Sequence, residues 1–348
     1  MFKKNILLAA ALVSTTLLTG CIGGNLKPKD TTPVPAEHAI MAPTPEELKA
    51  QMSGHGYKII LSPVEYASSY DKVFANEVYD DISQRLLKSG NTVVDRTLAA
   101  KLKDELLAAE TSGKFRTSGP AVADIVIMTK IASVKYGSKF SEASYWTDKK
   151  GKNHKTDASC SFSSKAQLYV RAYKIPSMEL INTYEYEGSS SFSTDTNRSN
   201  CPITEASANG LMANALSDAV KSGSGETLND LAPEAYVVER RDNTDASKSL
   251  FRVTIAKKSG AMKGAAVKFY RKKSHITPIT NEVRIEKSLL GEGEIIAEGI
   301  DAQGAYVYVD DKELINELKI GDIAKLDHGK CDVGEYEVFG SCVKVPSF

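Results

Sequence analysis

The run Asp124-Ile-Val-Ile-Met-Thr-Lys-Ile-Ala132 is the strongest constraint on how this chain folds. Every position from Ile125 to Met128 is apolar, so a strand here is apolar on both faces and both faces need cover. Such a strand belongs at the centre of a sheet with helices against it. Phe74, Val78, Ile82 and Leu86 recur every four residues and mark one helix face, and Leu98, Leu102 and Leu106 mark a second. A last helix is predicted from Glu205 to Lys221, with Leu211, Ala215, Leu216 and Val220 inward and Gly223 ending it. Gly90 lies just past the first helix, where a left-handed cap suits it.

Further strands complete the sheet. Tyr57 to Ser62 is ended by Pro63, and Thr92 to Asp95 is short. Lys165 to Lys174 alternates, with Leu168, Val170 and Ala172 on one face and Tyr169, Arg171 and Tyr173 on the other;. Ile181 to Ser189 pairs with it through a turn at Pro176-Ser177. This order predicts an α+β domain over 55–233, a mixed sheet with packed helices. Residues 234–330 change character. Strand-like runs at 236–240, 249–256, 265–271, 294–300, 304–309 and 322–327 are split by Gly, Asn and Asp turns, and only Lys312 to Leu318 looks helical. Several short strands in so small a stretch predict a small β-barrel.

The N-terminus is built differently. Lys3 and Lys4 precede a mostly apolar stretch from Ile6 to Leu18, which reads as a signal peptide over 1–20;. Leu18-Thr19-Gly20-Cys21 resembles the lipobox of bacterial lipoproteins. The resemblance implies cleavage before Cys21, a diacylglycerol on its sulfur and an acyl chain such as palmitate. Ile22 follows, not the Asp that retains some lipoproteins at the inner membrane, so the outer membrane is favoured. Residues 21–54 read as a Pro-rich tether from the lipidated Cys, because five of the twelve prolines fall between Pro28 and Pro45;. The chain has 44 basic and 44 acidic side chains among 348 residues. Loss of the two leader lysines leaves a formal charge of −2. Neither value points to nucleic acid.

With Cys21 taken by lipid, four cysteines remain in an exported, oxidising setting. Three pairings exist. Cys160–Cys201 and Cys331–Cys342 is preferred, the second closing a small loop between Gly334 and Gly340 and making 331–348 a disulfide-closed appendage. Zinc is the competing reading, weakened by the lack of any Cys-x-x-Cys and by scattered histidines. No phosphate-binding loop and no Gly-x-Ser-x-Gly occurs;. Gly291-Glu-Gly293 reads as a turn and Ser222-Gly-Ser-Gly225 as a helix-end linker. His38, His55, His154, His275 and His328 read as solvated, and Arg271-Lys-Lys273 as a solvated strand end. No cofactor and no catalysis are implied. Tyr145 and Trp146, the sole tryptophan, are the candidates for partner binding: on a loop they anchor a protein contact, or else they pack down on the sheet;.

Three segments carry a family resemblance. They are Gly90-Asn-Thr-Val-Val-Asp-Arg96 running into Leu98–Glu105, Ala123–Ile131, and Ala166-Gln-Leu-Tyr-Val-Arg-Ala-Tyr173 with Met178-Glu-Leu-Ile181. Together they resemble the module shared by the curli secretion lipoprotein CsgG, the middle domain of the flagellar ring protein FlgT and the N-terminal domain of TolB. Ser259–Gly264 leading into Val267–Tyr270, with Leu318–Ile323, resembles the C-terminal domain of FlgT. The resemblance implies a periplasm-facing assembly component of a flagellar or secretion machine. Its partners would be envelope proteins, and a homo-oligomeric ring is compatible with that role. The alternatives are a cell-wall synthase regulator, as in LpoB, and a CsgG-like channel subunit. A channel would need membrane-crossing hairpins inserted at about 137–164 and 188–203. Ser189 to Asn200 is too polar to face lipid, so no transmembrane pore is expected;. Cys160–Cys201 would then staple two soluble loops.

Overall fold

A computed structural model describes residues 26–48, 56–67, 72–94, 123–175, 177–277, 282–329, 335–338 and 341–344. In chain order the first strands are β1 (Thr32–Val34), β2 (Lys58–Leu61), β3 (Thr92–Val94), β4 (Ile125–Ser141), β5 (Ser144–Thr147), β6 (Asn153–Thr156), β7 (Ser159–Lys174) and β8 (Glu179–Asp195). They are followed by β9 (Ala235–Asp242), β10 (Ser249–Val253), β11 (Ala266–Ile276), β12 (Val283–Ile295), β13 (Ala305–Val309), β14 (Ile323–Asp327), β15 (Glu335–Val338) and β16 (Ser341–Lys344). The helices are α1 (Lys72–Lys88), α2 (Glu205–Asp230) and α3 (Lys312–Glu317).

The doubly apolar run sits where its two faces demand. The first sheet has the order β3-β2-β4-β7-β8, with β2 parallel to β3 and β4 and the rest antiparallel. Ile125, Ile127 and Ile131 of β4 join Leu168, Val170 and Ala172 of β7 beneath α1 and α2. Val126 and Met128 point the other way, into a second cluster with Ile60 and Tyr173. Phe74, Val78, Ile82 and Leu86 of α1 are all buried, as their spacing predicts. Burying each large apolar side chain contributes roughly 1.5–3 kcal/mol. Gly90 takes the left-handed conformation with φ 86°. A Cβ there would strike the Ser259 backbone. The second predicted helix, carrying Leu98, Leu102 and Leu106, lies outside the described residues.

Two readings of this region need correction. The segments 137–164 and 188–203 are not mainly loops. β4, β7 and β8 run on through most of them as a three-stranded ribbon, β4 and β7 pairing from Ile125↔Lys174 to Ser141↔Ser159 with one register shift between Ile131 and Ser133. Serine-rich sequence hid these strands, although one face of the ribbon carries buried Cys160, Phe162 and Ala166. Nor does the last helix end at Gly223: α2 runs to Asp230, so Ser222–Gly225 is helix interior rather than linker. The small residues serve close packing. A Cβ at Gly223 would run into the Tyr186 ring, and one at Gly225 into the carbonyl oxygens of His328 and Gly329. That gain outweighs the helix penalty of glycine, about 1 kcal/mol each.

The second region is a closed six-stranded barrel, β9-β10-β13-β12-β11-β14, shut by β14 pairing with β9. Phe251, Val253, Val267, Phe269, Val307 and Ile315 fill its interior. The run expected at 294–300 belongs to a longer strand that ends at Ile295, and β11 and β12 extend beyond the barrel to Ile276 and Val283. Gly291 and Gly293 are strand residues, not a turn: Leu314 lies against one and the Tyr308 carbonyl against the other, leaving no room for a Cβ;. Arg271 and Lys272 are not a solvated strand end either. Arg271 pairs with buried Asp322, and Lys272 with Glu234 at 3.3 Å.

The largest departure concerns the tether. β14 occupies the edge of β9 only at Ala235 and Tyr236. β1 takes the same edge further along, pairing Thr32↔Asp242 and Val34↔Arg240. Arg241 clamps the turn before it, donating to Thr31 O (2.9 Å), Thr31 Oγ1 (3.1 Å) and Pro28 O (3.3 Å). Further on, His38 bridges to Ile320, Ala39 is buried, and Lys319 reaches Glu37 at 2.6 Å. Residues 26–42 are thus a strap on the barrel rather than a free spacer. Proline-rich composition favours extended chain, and extended chain is what an open strand edge accepts. Among the described residues no helix is long and apolar enough to cross a membrane.

Candidate partner-binding site

The link between β4 and β7 folds back as the β5–β6 hairpin. It pairs Tyr145 with Lys155 and Trp146 with His154. The Trp146 and His154 rings stack, with centroids 4.3 Å apart and 13° between planes. Tyr145 is 76% exposed and Trp146 53%. Both therefore stand on a finger of their own, not packed down on the main sheet.

The fingertip is ordered by one carboxylate. Asp148 Oδ1 accepts the amides of Lys150 and Lys152, each at 2.9 Å, and Asp148 Oδ2 lies 3.1 Å from His154 Nε2. The Lys152 amide above all, then His154, holds the Asp148 carboxyl below the usual carboxylate range;. His154, expected to be solvated, is instead half-buried between Trp146 and Asp148. Lys149, Lys150 and Lys152 stay exposed around the tip. Lys155 pairs with Asp157 at 2.6 Å, which raises the ammonium pKa. Two open aromatic faces among lysines suit an acidic, partly apolar protein surface.

The base of the finger is rigid. Cys160, on β7, is disulfide-bonded to Cys201, just before α2, with Cα atoms 5.5 Å apart. The bond joins a strand to a helix lead-in rather than two loops. Both sulfurs are consumed, so neither is a zinc ligand. Phe162 stacks on Phe192 at 5.0 Å, with Leu211, Phe140 and Ile203 packed around the disulfide. Thr204 caps α2, its Oγ1 accepting from the Ser207 amide at 3.2 Å;. Asp218 of α2 accepts the Ser189 amide at 2.8 Å, and Gly188 lets the ribbon lie on Ala215 and Ala219. Cys21 and Cys331 lie outside the described residues. Cys342 falls in β16, so the Cys331–Cys342 pairing also lies outside what is described.

A second feature went unread in the sequence. Arg85, Ser89, Ser224, Gly225, Leu326 and His328 help to line a cleft of about 350 Å³ where α1 and α2 meet the barrel. Asn229, at the end of α2, holds this junction. Its Nδ2 donates to Asp327 Oδ1 (3.0 Å) and His328 O (3.3 Å), while its Oδ1 accepts the His328 amide (2.6 Å). Lys325 Nζ donates to Asn229 O at 3.0 Å. His328, expected to be solvated, is half-buried with its Nε2 covered, and burial lowers its pKa. Among the described residues, Ser224 Oγ and His328 Nε2 have no hydrogen-bond partner. A helix-end Asn and a strand-end His carry no local pattern, so the sequence offered no signal for their pairing. Among the described residues no group of three His, Cys, Asp or Glu is placed to hold a metal ion.

No family model matches the chain, and no curated protein matches it. Among solved structures, a hypothetical protein CT253 from Chlamydia trachomatis is similar at 17% identity over 38% of this chain and 71% of its own, with a TM-score of 0.23. A putative neuraminyllactose-binding hemagglutinin homolog from Helicobacter pylori aligns at 11% identity over 47% and 79%, with a TM-score of 0.27. Lipoprotein GNA1162 from Neisseria meningitidis aligns at 12% identity over 44% and 91%, with a TM-score of 0.23. At such scores the likenesses carry no argument about fold or function.

Proposed function

We propose that this chain is a lipid-anchored protein of the bacterial outer membrane that faces the periplasm and acts by binding other envelope proteins, not by catalysis. The observation that carries this reading is the exposed Tyr145–Trp146 pair on a finger whose base is tied by the Cys160–Cys201 bond. Aromatic side chains on a pre-ordered support bury much area at little entropic cost, which is what a docking contact needs. The lipobox-like Leu18–Cys21 supplies the anchor. The resemblance to CsgG and FlgT modules favours a structural role in a ring-type or secretion-associated assembly.

A photo-crosslinking residue in place of Tyr145, activated in intact cells, tests the reading. Adducts with components of an envelope assembly are expected. Recovery of cell-wall synthases alone would favour the regulator. Crosslinks to lipid or to neighbouring copies in a membrane-spanning ring would restore the channel.

A further inference from the structure

We infer that the barrel wall built by β10 and β13 lies against the lipid surface, and that the α/β unit and its aromatic finger point away from it. The inference rests on the lipid-anchor reading of Cys21 and deepens it. Leu26 packs on the outside of the barrel against Leu250 of β10, Tyr308 of β13 and Ile296. Lys27 pairs with Glu298 at 2.8 Å beside it. From Leu26 onward the chain is held by the strap. Five residue steps separate Cys21 from Leu26, and even fully extended they span at most ~18 Å. A lipidated Cys21 therefore cannot let the barrel float free. It draws the wall at Leu26 to within a few side-chain lengths of the membrane.

The barrel order then sets the direction of everything else. Around the ring β14-β11-β12-β13-β10-β9, strand β13 is three places from β14 in either direction. The α/β unit docks on the β14 side, through α2 against β14 and through Asn229 with Asp327 and His328. The anchor and the α/β unit thus meet different walls, β13 lying three strands from β14 and β10 two. α2 leaves the barrel junction at Asp230 and begins at Glu205, where the Cys160–Cys201 bond fixes the base of the finger. Twenty-six helical residues cover ~39 Å. Tyr145 and Trp146 follow Ser141, the outer end of β4 beside Cys160, by only four and five residues, which keeps them within ~18 Å of that far end;. The order is membrane, barrel, α/β unit, finger. A partner held by the finger would sit well inside the periplasm.

The lone tryptophan makes the test direct. The full-length lipidated protein is reconstituted into phosphatidylethanolamine–phosphatidylglycerol vesicles doped with a dansyl-headgroup lipid. Energy transfer is read from Trp146, and separately from Lys29→Trp in a Trp146→Phe background. Lys29 is exposed in the turn beside Leu26. Most of the Lys29→Trp emission should be lost to dansyl, while Trp146 emission should barely change. Equal quenching of the two, or stronger quenching of Trp146, overturns the orientation. Flotation with the vesicles, scored against Cys21→Ala, separately tests the anchor. Wild-type protein that floats no better than Cys21→Ala overturns the anchor reading, and the orientation with it. An unchanged far-ultraviolet dichroism spectrum checks that the tryptophan variants fold.

Discussion

Arg271 Nε donates to Asp322 Oδ1 at 2.9 Å and Arg271 Nη2 to Oδ2 at 2.6 Å, and the Asp322 side chain has no exposed surface. Asp322 also accepts the Lys319 amide at 2.8 Å, so it ties a strand of the barrel to the Gly321 turn. Asp322, first among its contacts, raises the Arg271 pKa further. Removing one partner strands the other charge. Asp322→Ala should therefore destabilise the protein by about 3–5 kcal/mol. Joint replacement of Arg271 by Met and Asp322 by Leu should cost less than the single change. Urea unfolding midpoints decide it. An Asp322→Ala variant of wild-type stability would mean that the pair is solvent-screened.

The strap offers a local rather than global test. Arg241 makes three hydrogen bonds to the turn at Pro28–Thr31 and a salt bridge to Glu239 at 2.8 Å. Arg241→Ala should loosen residues 26–42 while the barrel core, which lies on the other face of the strands, stays folded. Trypsin should then cut after Lys29 much faster, with little change in the thermal midpoint. Mass spectrometry of the early fragments identifies that cut. Equal cleavage rates in the variant and the wild type would show that β1 pairing alone holds the strap.

How far the sequence disclosed this follows from where apolar periodicity operates. Ile125–Met128 and the Phe74–Leu86 face announced a covered sheet, because each buried side chain had to be apolar. The barrel was legible from strand-and-turn spacing. The outer ribbon was not, because Ser161, Ser163, Ser189 and Ser191 crowd its strands, and the Phe162–Phe192 contact forms only once they pair. The interior glycines of α2 read as a stop because their purpose, contact with Tyr186 and His328, lies across the fold. Of the candidate site, Cys160 and Cys201 came from arithmetic and Tyr145 and Trp146 from rarity. The stacking of His154 on Trp146 depended on hairpin register, which no local pattern fixes.

His328 gives the junction a dependence on pH. Burial pushes its pKa below the usual imidazole value, Asp327 partly opposes this, and Lys325 adds to it. A depressed histidine pKa means that the folded state resists the proton that the unfolded chain accepts. Its contribution is therefore fully present above the unfolded value of about 6.5 and is lost as pH falls through the folded value. Unfolding free energy should decline from pH 7.5 toward pH 5 more steeply in the wild type than in His328→Gln. Parallel declines in the two proteins would place the acid sensitivity elsewhere.

The Cys160–Cys201 bond should matter for both stability and docking. It joins residues 41 apart in sequence, and closing a loop of that size in the unfolded chain is worth roughly 3–4 kcal/mol;. Cys160→Ser with Cys201→Ser should lower the thermal midpoint by several degrees, and reductant should lower it more in the wild type than in the variant. The barrel lies at the opposite end of α2, so its Arg271–Asp322 pair should be unaffected and trypsin should still spare it. The finger should suffer more, since Phe162, Phe192 and Leu211 pack around the bond that fixes its base. Photo-crosslinking yield from Tyr145 should fall in the double variant even at temperatures where it remains folded. An unchanged yield would separate the disulfide from recognition and leave it a purely stabilising bond.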